Sequence, residues 1–380
     1  MKNSANFDKE ILIEPLSPVF IGSGEKVGKF ETLVADDKTY ILNFDKLMEN
    51  EKFVQYFIAN TDKILNPQIK DQVLSEIFKR LNMNIEEYSY SSFRTIMDKE
   101  GKPRTLQIHR FIRSAGRYYI PGSSIKGALR TMIIKSNPKI SSEFKAVFGL
   151  EREQFFRKVE NIEEQIFGEP QASPFKLLRI ADSTFIDSSH MKFKVVAVVH
   201  LVKPRQSIPQ FYELWLPDLR NNEANKVKSR ISFIFSDLNK LGNKKGGVNY
   251  FSELFADEKA FMSKMKEGAR IIIDMEMEKI KTIPDEKIRT PLKNFYETLQ
   301  KINNEMKNGF LLRVGGHTSF YSKTGYREFL SKDEVEKLKR FFGYSKVTVT
   351  NFPITTRIAK LSESPNDIMP LGWLKIEFLS

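Results

Sequence analysis

Short β-rich runs and helical stretches follow one another along this chain without regular βαβα alternation, and several runs are joined by turns too tight for a crossover helix. That order predicts an α+β fold built on antiparallel sheets. Ile11–Phe20 is apolar and β-rich, but Pro15 and Pro18 interrupt it, so it reads as an edge or entry strand. The glycine turn IGSGEKVGKF follows, then ETLVADDKTYIL, a hairpin with Asp36, Asp37 and Lys38 at its tip. From 44 to 80, Leu47, Phe53, Phe57, Ile58, Ile64, Leu65, Val73, Leu74, Ile77 and Phe78 recur at helical intervals, with a break at Asn66-Pro67. The polar stretch 82–105 reads as a mobile insertion. LQIHRFI and RYYIPG read as strands, and 124–136 as a helix with Ile125, Leu129, Met132 and Ile133 as its buried stripe. A second helical insertion covers about 141–168. KLLRIADSTFI, KFKVVAVVHLV and SRISFIF read as strands; 251–268 and 285–307 read as helices flanking a short strand, ARIIIDMEM. GFLLRVGGHTSFYSKTG is a strand running into a glycine turn. A helix over 332–342, a strand near Lys346–Asn351 and a last strand in PLGWLKIEFL complete the pattern.

The lack of cysteine removes disulfides, thiolate metal sites and cysteine nucleophiles. No two of His109, His190, His200 and His317 stand three or four residues apart and no HExxH occurs, so neither a metal site nor a cofactor is expected. The start MKNSANFDKE lacks the basic-then-apolar layout of a signal peptide, and runs such as Val195–Val199 and Ile271–Ile273 are too short to cross a bilayer. A soluble, cytoplasmic protein with no membrane partner is expected. Two nucleotide motifs fail: Gly22, Gly24 and Gly28 miss the dinucleotide spacing, and Gly28-Lys29 lacks both the earlier glycine and the Ser/Thr of a phosphate loop, with Phe30 in that place.

The net charge of +13 favours an anionic partner. Its distribution says more. No acidic residue stands between Glu100 and Glu143, where 48 acids in 380 residues would place about five. Lys102, Arg104, Arg110, Arg113, Arg117, Lys126, Arg130, Lys135 and Lys139 fill that gap, with Phe111, Tyr118 and Tyr119 among them. A chance grouping near an acidic patch is the plain alternative; the interleaved aromatics and adjoining glycine turns favour nucleic acid. Three stretches share one layout, in which a β-like run enters Gly/Ser-rich residues followed by a cation: FIGSGEKVGK (20–29), YIPGSSIKGALR (119–130) and RVGGHTSFYSK (313–323). Glycine lets a ligand approach bare N–H groups, and a helix start favours phosphate oxygens. For any one loop a tight turn plus a surface lysine would serve as well. The second stretch says more, because Ser123 or Ser124 can cap a helix whose first turns carry Lys126 and Arg130 on one face. A polymer backbone is the better ligand. The candidate contacts are Gly22, Ser23, Gly24, Arg113, Arg117, Gly122, Ser123, Ser124, Lys126, Arg130, Arg313, Gly315, Gly316, His317 and Lys323.

LSPVFIGSGE, YYIPGSSIKGALRT, RIADSTF, the strand pair ELWLP…RISFIF and LLRVGGHTSFYSKTG, in this order, resemble the RAMP proteins of CRISPR systems. VGG followed by SFYSKT, and the terminal MPLGWLKIEF, are most similar to fifth subunits of the type III-A Csm complex. His317 and Thr318 stand where glycine or serine is common. The resemblance spans nearly the whole chain apart from 44–105, 141–175 and 240–306. It implies tandem ferredoxin-like, RRM-related modules: 1–240, with helical insertions at about 44–105 and 141–175, and 241–380, with a helical insertion, the glycine-rich loop and the final strand. It also implies a non-catalytic RNA-binding subunit that caps the 3′ end of the CRISPR guide RNA and supports guide maturation and complex assembly. The implied partners are the guide RNA, the repeated backbone RAMP subunit, the small helical Csm subunit and host ribonucleases.

Related RAMP proteins cut CRISPR repeat RNA, which makes a metal-independent endoribonuclease the rival reading. That chemistry needs a base for the 2′-OH, an acid for the leaving oxygen and a cation for the phosphorane. His109 with Tyr118 or Tyr119 and Lys126 is one such set, and His317 in the glycine loop another candidate; a lone histidine in an alternating strand more often holds structure or touches RNA. Asp36 and Asp37 suit a metal less well than a solvated turn. Asp182 in IADS is expected to fix a turn or pair with a basic residue. A basic scaffold that touches only proteins is a third class, and it predicts binding insensitive to salt.

Overall fold

The computed structural model describes residues 7–97, 99–101, 103, 107–168, 173–201, 210–218, 224–234, 254–255, 257–341, 353, 355–362, 364 and 366–379. β1 (Phe7–Pro15) stops at the proline, which has no N–H to give a ladder. The glycine stretch expected as a turn is instead an edge strand, β2 (Gly22–Lys26), which bulges where Gly24 takes φ +87°. β3 (Thr32–Ala35) and β4 (Lys38–Leu42) form the expected hairpin, with Asp36 and Asp37 at positive φ in its turn. α1 (Phe44–Met48), α2 (Glu51–Ala59), α3 (Thr61–Ile64) and α4 (Lys70–Arg80) bury Leu47, Phe53, Ile64, Leu74, Ile77 and Phe78 against Leu33 and Tyr40 of that hairpin. Ile58 and Leu65, expected on the same stripe, are exposed. Within the polar 82–105, β5 (Ser89–Arg94) pairs with β4 as a third strand, so part of the expected loose insertion is ordered sheet.

β6 (Ile108–Phe111) precedes a two-residue hairpin, β7 (Arg113–Ser114) and β8 (Arg117–Tyr118), and then α5 (Gly122–Lys135). α6 (Pro138–Ala146), α7 (Arg152–Phe167), β9 (Leu178–Ile180), β10 (Met191–His200), β11 (Gln210–Trp215) and β12 (Val227–Phe233) follow. Next come α8 (Glu258–Ile280), α9 (Glu286–Glu305), β13 (Gly309–Arg313), α10 (Phe320–Lys323) and α11 (Lys332–Phe341). ARIIIDMEM lies inside α8 and is no strand. Packed by α5, α9 and β13, α8 buries Ile271, Ile272, Ile273 and Met275, so an unbroken apolar run here marks a helix covered on several sides. β14 (Thr355–Lys360), β15 (Ile368–Pro370) and β16 (Trp373–Phe378) end the chain. The strand expected near Lys346–Asn351 lies outside the described residues.

Apart from β3–β5 and the β7–β8 hairpin, the strands divide between two large sheets. The first runs β13-β16-β1-β12-β9 and is antiparallel throughout. Taken in chain order, β1, α5, β9, β12, α8 and β16 make a βαββαβ unit, the ferredoxin-like arrangement, with β13 added outside β16. Val227, Ile13, Ile376 and Phe310 form one buried row across four strands. α5 and α8 cross closely: a Cβ on Gly268 would stand 2.9 Å from the Met132 carbonyl oxygen. The second sheet runs β15-β14-β10-β11-β6-β2, with β11 and β6 parallel. ELWLP and RISFIF are not a bonded pair; β11 finds its partners in β10 and β6, and β12 in β1 and β9. Both sheets take strands from either side of residue 240. Among the described residues no helix is long and apolar enough to cross a membrane.

A buried ionic cluster joins α5, α8 and β13. Lys135 Nζ donates to the Tyr326 carbonyl, Lys279 lies 4.4 Å from the Tyr321 ring centroid, and Glu276 and Arg313 face each other. Burial pulls Lys135 down to about 7 and Lys279 down to about 8, with Glu276 opposing both shifts. The unfolded chain keeps these protons up to the ordinary lysine value, so from about pH 7 to pH 10 it binds more protons than the fold and stability rises with pH; below about 7 the contribution of Lys135 is flat. Urea titrations should show a gain of roughly 3–4 kcal/mol from pH 7 to pH 9, more than half of it absent in Lys135→Met. A flat profile over the same interval would mean that the lysines stay charged in the fold.

Candidate nucleic-acid interface

The start of α5 is built differently from the serine-capped helix that the sequence predicts. Pro121 is the N-cap, and the Gly122 N–H donates to Asp182 Oδ1 at 2.8 Å from the loop after β9. Neither Ser123 nor Ser124 caps the helix, because it begins at Gly122 and places both serines in its first turn. Asp182 fixes the turn, as expected. Ser183 Oγ accepts the Ile120 N–H at 2.8 Å and ties the same loop to the chain entering α5. A carboxylate thus already holds the place a phosphate would take on the Gly122 N–H, which leaves ligand contact to side chains further along.

Those side chains are held by aromatic rings. Lys126 Nζ lies 5.1 Å from the Phe175 centroid, Arg130 lies 4.7 Å from Phe167, and Arg117 lies 3.8 Å from the exposed Phe185. Such contacts position a cation without neutralising it. Burial lowers the pKa of Lys126. The acid-free stretch is not one continuous belt, however. Arg110 is buried and paired with Glu31, and Lys135 belongs to the core cluster. Lys139 sits on α6, and Lys102 and Arg104 lie outside the described residues. Alternation explains the split on β6, where Arg110 and His109 point to opposite faces of the sheet.

Arg313 departs furthest from its expected role. It is buried: Nε donates to the Leu371 carbonyl at 3.0 Å and Nη1 to Ser322 Oγ at 2.8 Å, with Glu276 Oε1 3.3 Å from Nη1. All five residues of β13 are buried, so its last cation faces the core. The turn beyond it meets the first glycine stretch. The Gly316 N–H donates to the Phe20 carbonyl at 2.7 Å, and at Gly315 (φ +83°) a Cβ would stand 2.1 Å from that same oxygen. The first and third glycine stretches therefore touch. The second joins them through the β7–β8 hairpin: the Ile112 N–H donates to Ile21, Arg113 pairs with Tyr118, and the Ile186 N–H donates to the Tyr118 carbonyl just before the Asp182 loop meets Gly122.

Where the first and third stretches meet, four rings gather. His317 stacks on Phe20 at 5.4 Å and lies 4.2 Å from Tyr212, which stacks on His109 at 4.9 Å and 12°. Register explains the grouping, since Lys194, Tyr212, His109 and Lys26 are successive partners across β10, β11, β6 and β2. Arg357 of β14 donates to His317 Nδ1. Burial, then the Arg357 and Lys323 charges, push His317 down to about 3, and burial with Lys26 lowers His109. Both imidazoles are neutral at neutral pH. Of the two tyrosines offered for the ribonuclease set, Tyr118 is buried and donates its hydroxyl to Glu213 at 2.6 Å. Among the described residues no ion pair involves Lys26, Arg113, Arg117, Lys126, Lys323 or Arg357, and no cluster of three or more His, Asp or Glu side chains suits a metal. Tyr212 and Arg357 escape the sequence reading; the only signal for Tyr212 is its place in the alternation of β11, and Arg357 gives none.

The RAMP superfamily model matches residues 12–320. The CRISPR system protein Csm5 of Methanocaldococcus jannaschii is 24% identical over 400 aligned positions, covering 97% of this chain and 88% of that protein. Csm5 of Streptococcus thermophilus is 32% identical over 159 positions, 38% of this chain and 42% of that protein. In fold, a chain from the cryo-EM structure of a type III-A Csm–crRNA–target RNA ternary complex superposes with a TM-score of 0.66 at 20% identity, covering 98% of this chain and all of that one. The crystal structure of Csm5 from T. onnurineus gives 0.62 at 17% identity, with 96% and 99% covered. With a family match over most of its length and a ferredoxin-like core carrying the glycine stretches, the chain belongs to the RAMP superfamily.

Proposed function

We propose that this chain is a non-catalytic RNA-binding subunit of a type III-A CRISPR complex, working in the cytoplasm, where it caps the 3′ end of the guide RNA and supports its maturation and the assembly of the complex. One observation carries the reading: three glycine stretches from distant parts of the chain are joined by direct contacts, and among the described residues Lys26, Arg113, Arg117, Lys126, Lys323 and Arg357 around them make no ion pair. Such an arrangement suits a polyanion whose backbone is read by charge and whose bases stack on rings. Relatives named Csm5, and a fold neighbour from a Csm–crRNA–target RNA complex, support the same role. The guide RNA is then the main partner, with the repeated backbone RAMP subunit beside it and the small helical subunit and host ribonucleases as further contacts.

The test is salt-dependent binding of a fluorescent single-stranded repeat RNA. Reversing Arg117 and Lys126 to Glu should weaken binding at least tenfold and lower the log–log salt slope by about 1.4, two contacts at about 0.7 each. A folded double variant with wild-type affinity and slope would defeat the proposal.

A further inference from the structure

We propose that Arg357 of β14, with His317 and Lys323, forms a phosphate-oxygen site at the meeting point of the first and third glycine stretches. The site rests on the RNA reading above and extends it to a strand outside all three stretches. Three observations converge on it. Arg357 is exposed and gives one N–H to His317 Nδ1, which leaves the rest of a five-donor guanidinium fork for a ligand. Because Nδ1 accepts that bond, the neutral ring of His317 carries its proton on Nε2, as a further donor. Lys323, on α10, is close enough to Arg357 and His317 for their charges to act on one another.

The local backbone is built to hold this set. His317 sits at φ +60°, a conformation few side chains adopt, directly after Gly315 and Gly316, and stacking on Phe20 with a tilted contact to Tyr212 fixes its ring. Two cations and an N–H donor are thus gathered with no carboxylate among them, and an anion relieves their repulsion. A guanidinium fork beside stacked rings suits a phosphate of single-stranded RNA. That phosphate is either an internal phosphodiester or a terminal monoester.

The experiment uses the full chain and one fluorescent single-stranded RNA made with a 3′-hydroxyl or a 3′-phosphate end. Arg357→Gln is expected to weaken binding about tenfold and to lower the salt slope by about 0.7 for each phosphate contact removed. Equal losses on both probes place an internal phosphodiester in the site; a loss confined to the 3′-phosphate probe places the terminal group there. Lys323→Gln should act in the same direction, and Arg357→Lys should keep the slope while losing affinity, since it retains charge and gives up the fork. Wild-type affinity and slope in folded Arg357→Gln and Lys323→Gln, on both probes, would overturn the site. If the Arg117/Lys126 reversal still abolishes binding in that case, RNA binding stands and only this site falls; if neither variant binds more weakly than wild type, both fall.

Discussion

Arg313→Ala is expected to lower the free energy of unfolding by roughly 3–5 kcal/mol, the loss typical of breaking a buried ion pair from one side. The guanidinium has a side-chain exposure of only 1%, and it serves the Leu371 carbonyl, Ser322 and Glu276 together while lying 5.4 Å from the Trp373 ring. Truncation leaves the Glu276 carboxylate buried with only the two lysines and the Ser319 hydroxyl to balance it. Burial pushes the Glu276 pKa up, but Lys279 and Arg313 outweigh that and hold it below the usual carboxylate range. Without Arg313 the carboxyl should take up a proton more readily, so the variant loses less stability in mild acid than at neutral pH. The double change Arg313→Met and Glu276→Gln removes both charges and should recover a large part of the loss, since replacing a buried pair entirely costs far less than halving it. Urea denaturation of wild type and the two variants measures each step. A stable Arg313→Ala that merely binds RNA more weakly would return Arg313 to the interface and contradict its buried position.

That residue also marks what a linear reading of this chain can and cannot reach. The strand before it, the glycine turn after it and the helix over 122–135 are legible because their causes are local: alternation, turn residues and a stripe at helical spacing. Direction is not local. Arg313 looks like Lys126 in sequence, a cation beside a glycine stretch, yet β13 is buried along its whole length and its cation turns inward. ARIIIDMEM fails for a related reason, since a helix covered on several sides shows no period with which to tell it from a strand. The interface shows the same limit. Gly315 and Gly316 announce a close backbone approach, but nothing near them in sequence says that the approaching atom is the Phe20 carbonyl, almost the length of the chain away. Arg357 reaches His317 only because β14 joins the sheet beside β10, a pairing set by tertiary packing.

Gly122→Ala and Gly127→Ala should move stability in opposite directions although both lie in α5. Helix propensity alone favours alanine at either site by about 1 kcal/mol. At Gly127 a new Cβ meets nothing within 4 Å, so that gain should appear in full. At Gly122 the Cβ would stand 2.1 Å from the Ile180 carbonyl oxygen and 2.9 Å from that of Ala181, both backbone atoms of the strand and loop beneath the helix. No side chain can turn aside to admit it, so α5 must lift from β9, losing the Gly122 bond to Asp182 and part of the apolar stripe at Ile125 and Leu129. A loss of about 3 kcal/mol or more is expected, in the range of overpacking at a site that cannot relax. Because α5 carries Lys126 and Arg130 over Phe175 and Phe167, its displacement also shifts two candidate RNA contacts. RNA affinity should therefore fall in Gly122→Ala under conditions where the variant remains folded. Urea denaturation of the two variants and of wild type decides the matter, and equal stability in Gly122→Ala and Gly127→Ala would show that α5 does not rest on the β9 backbone.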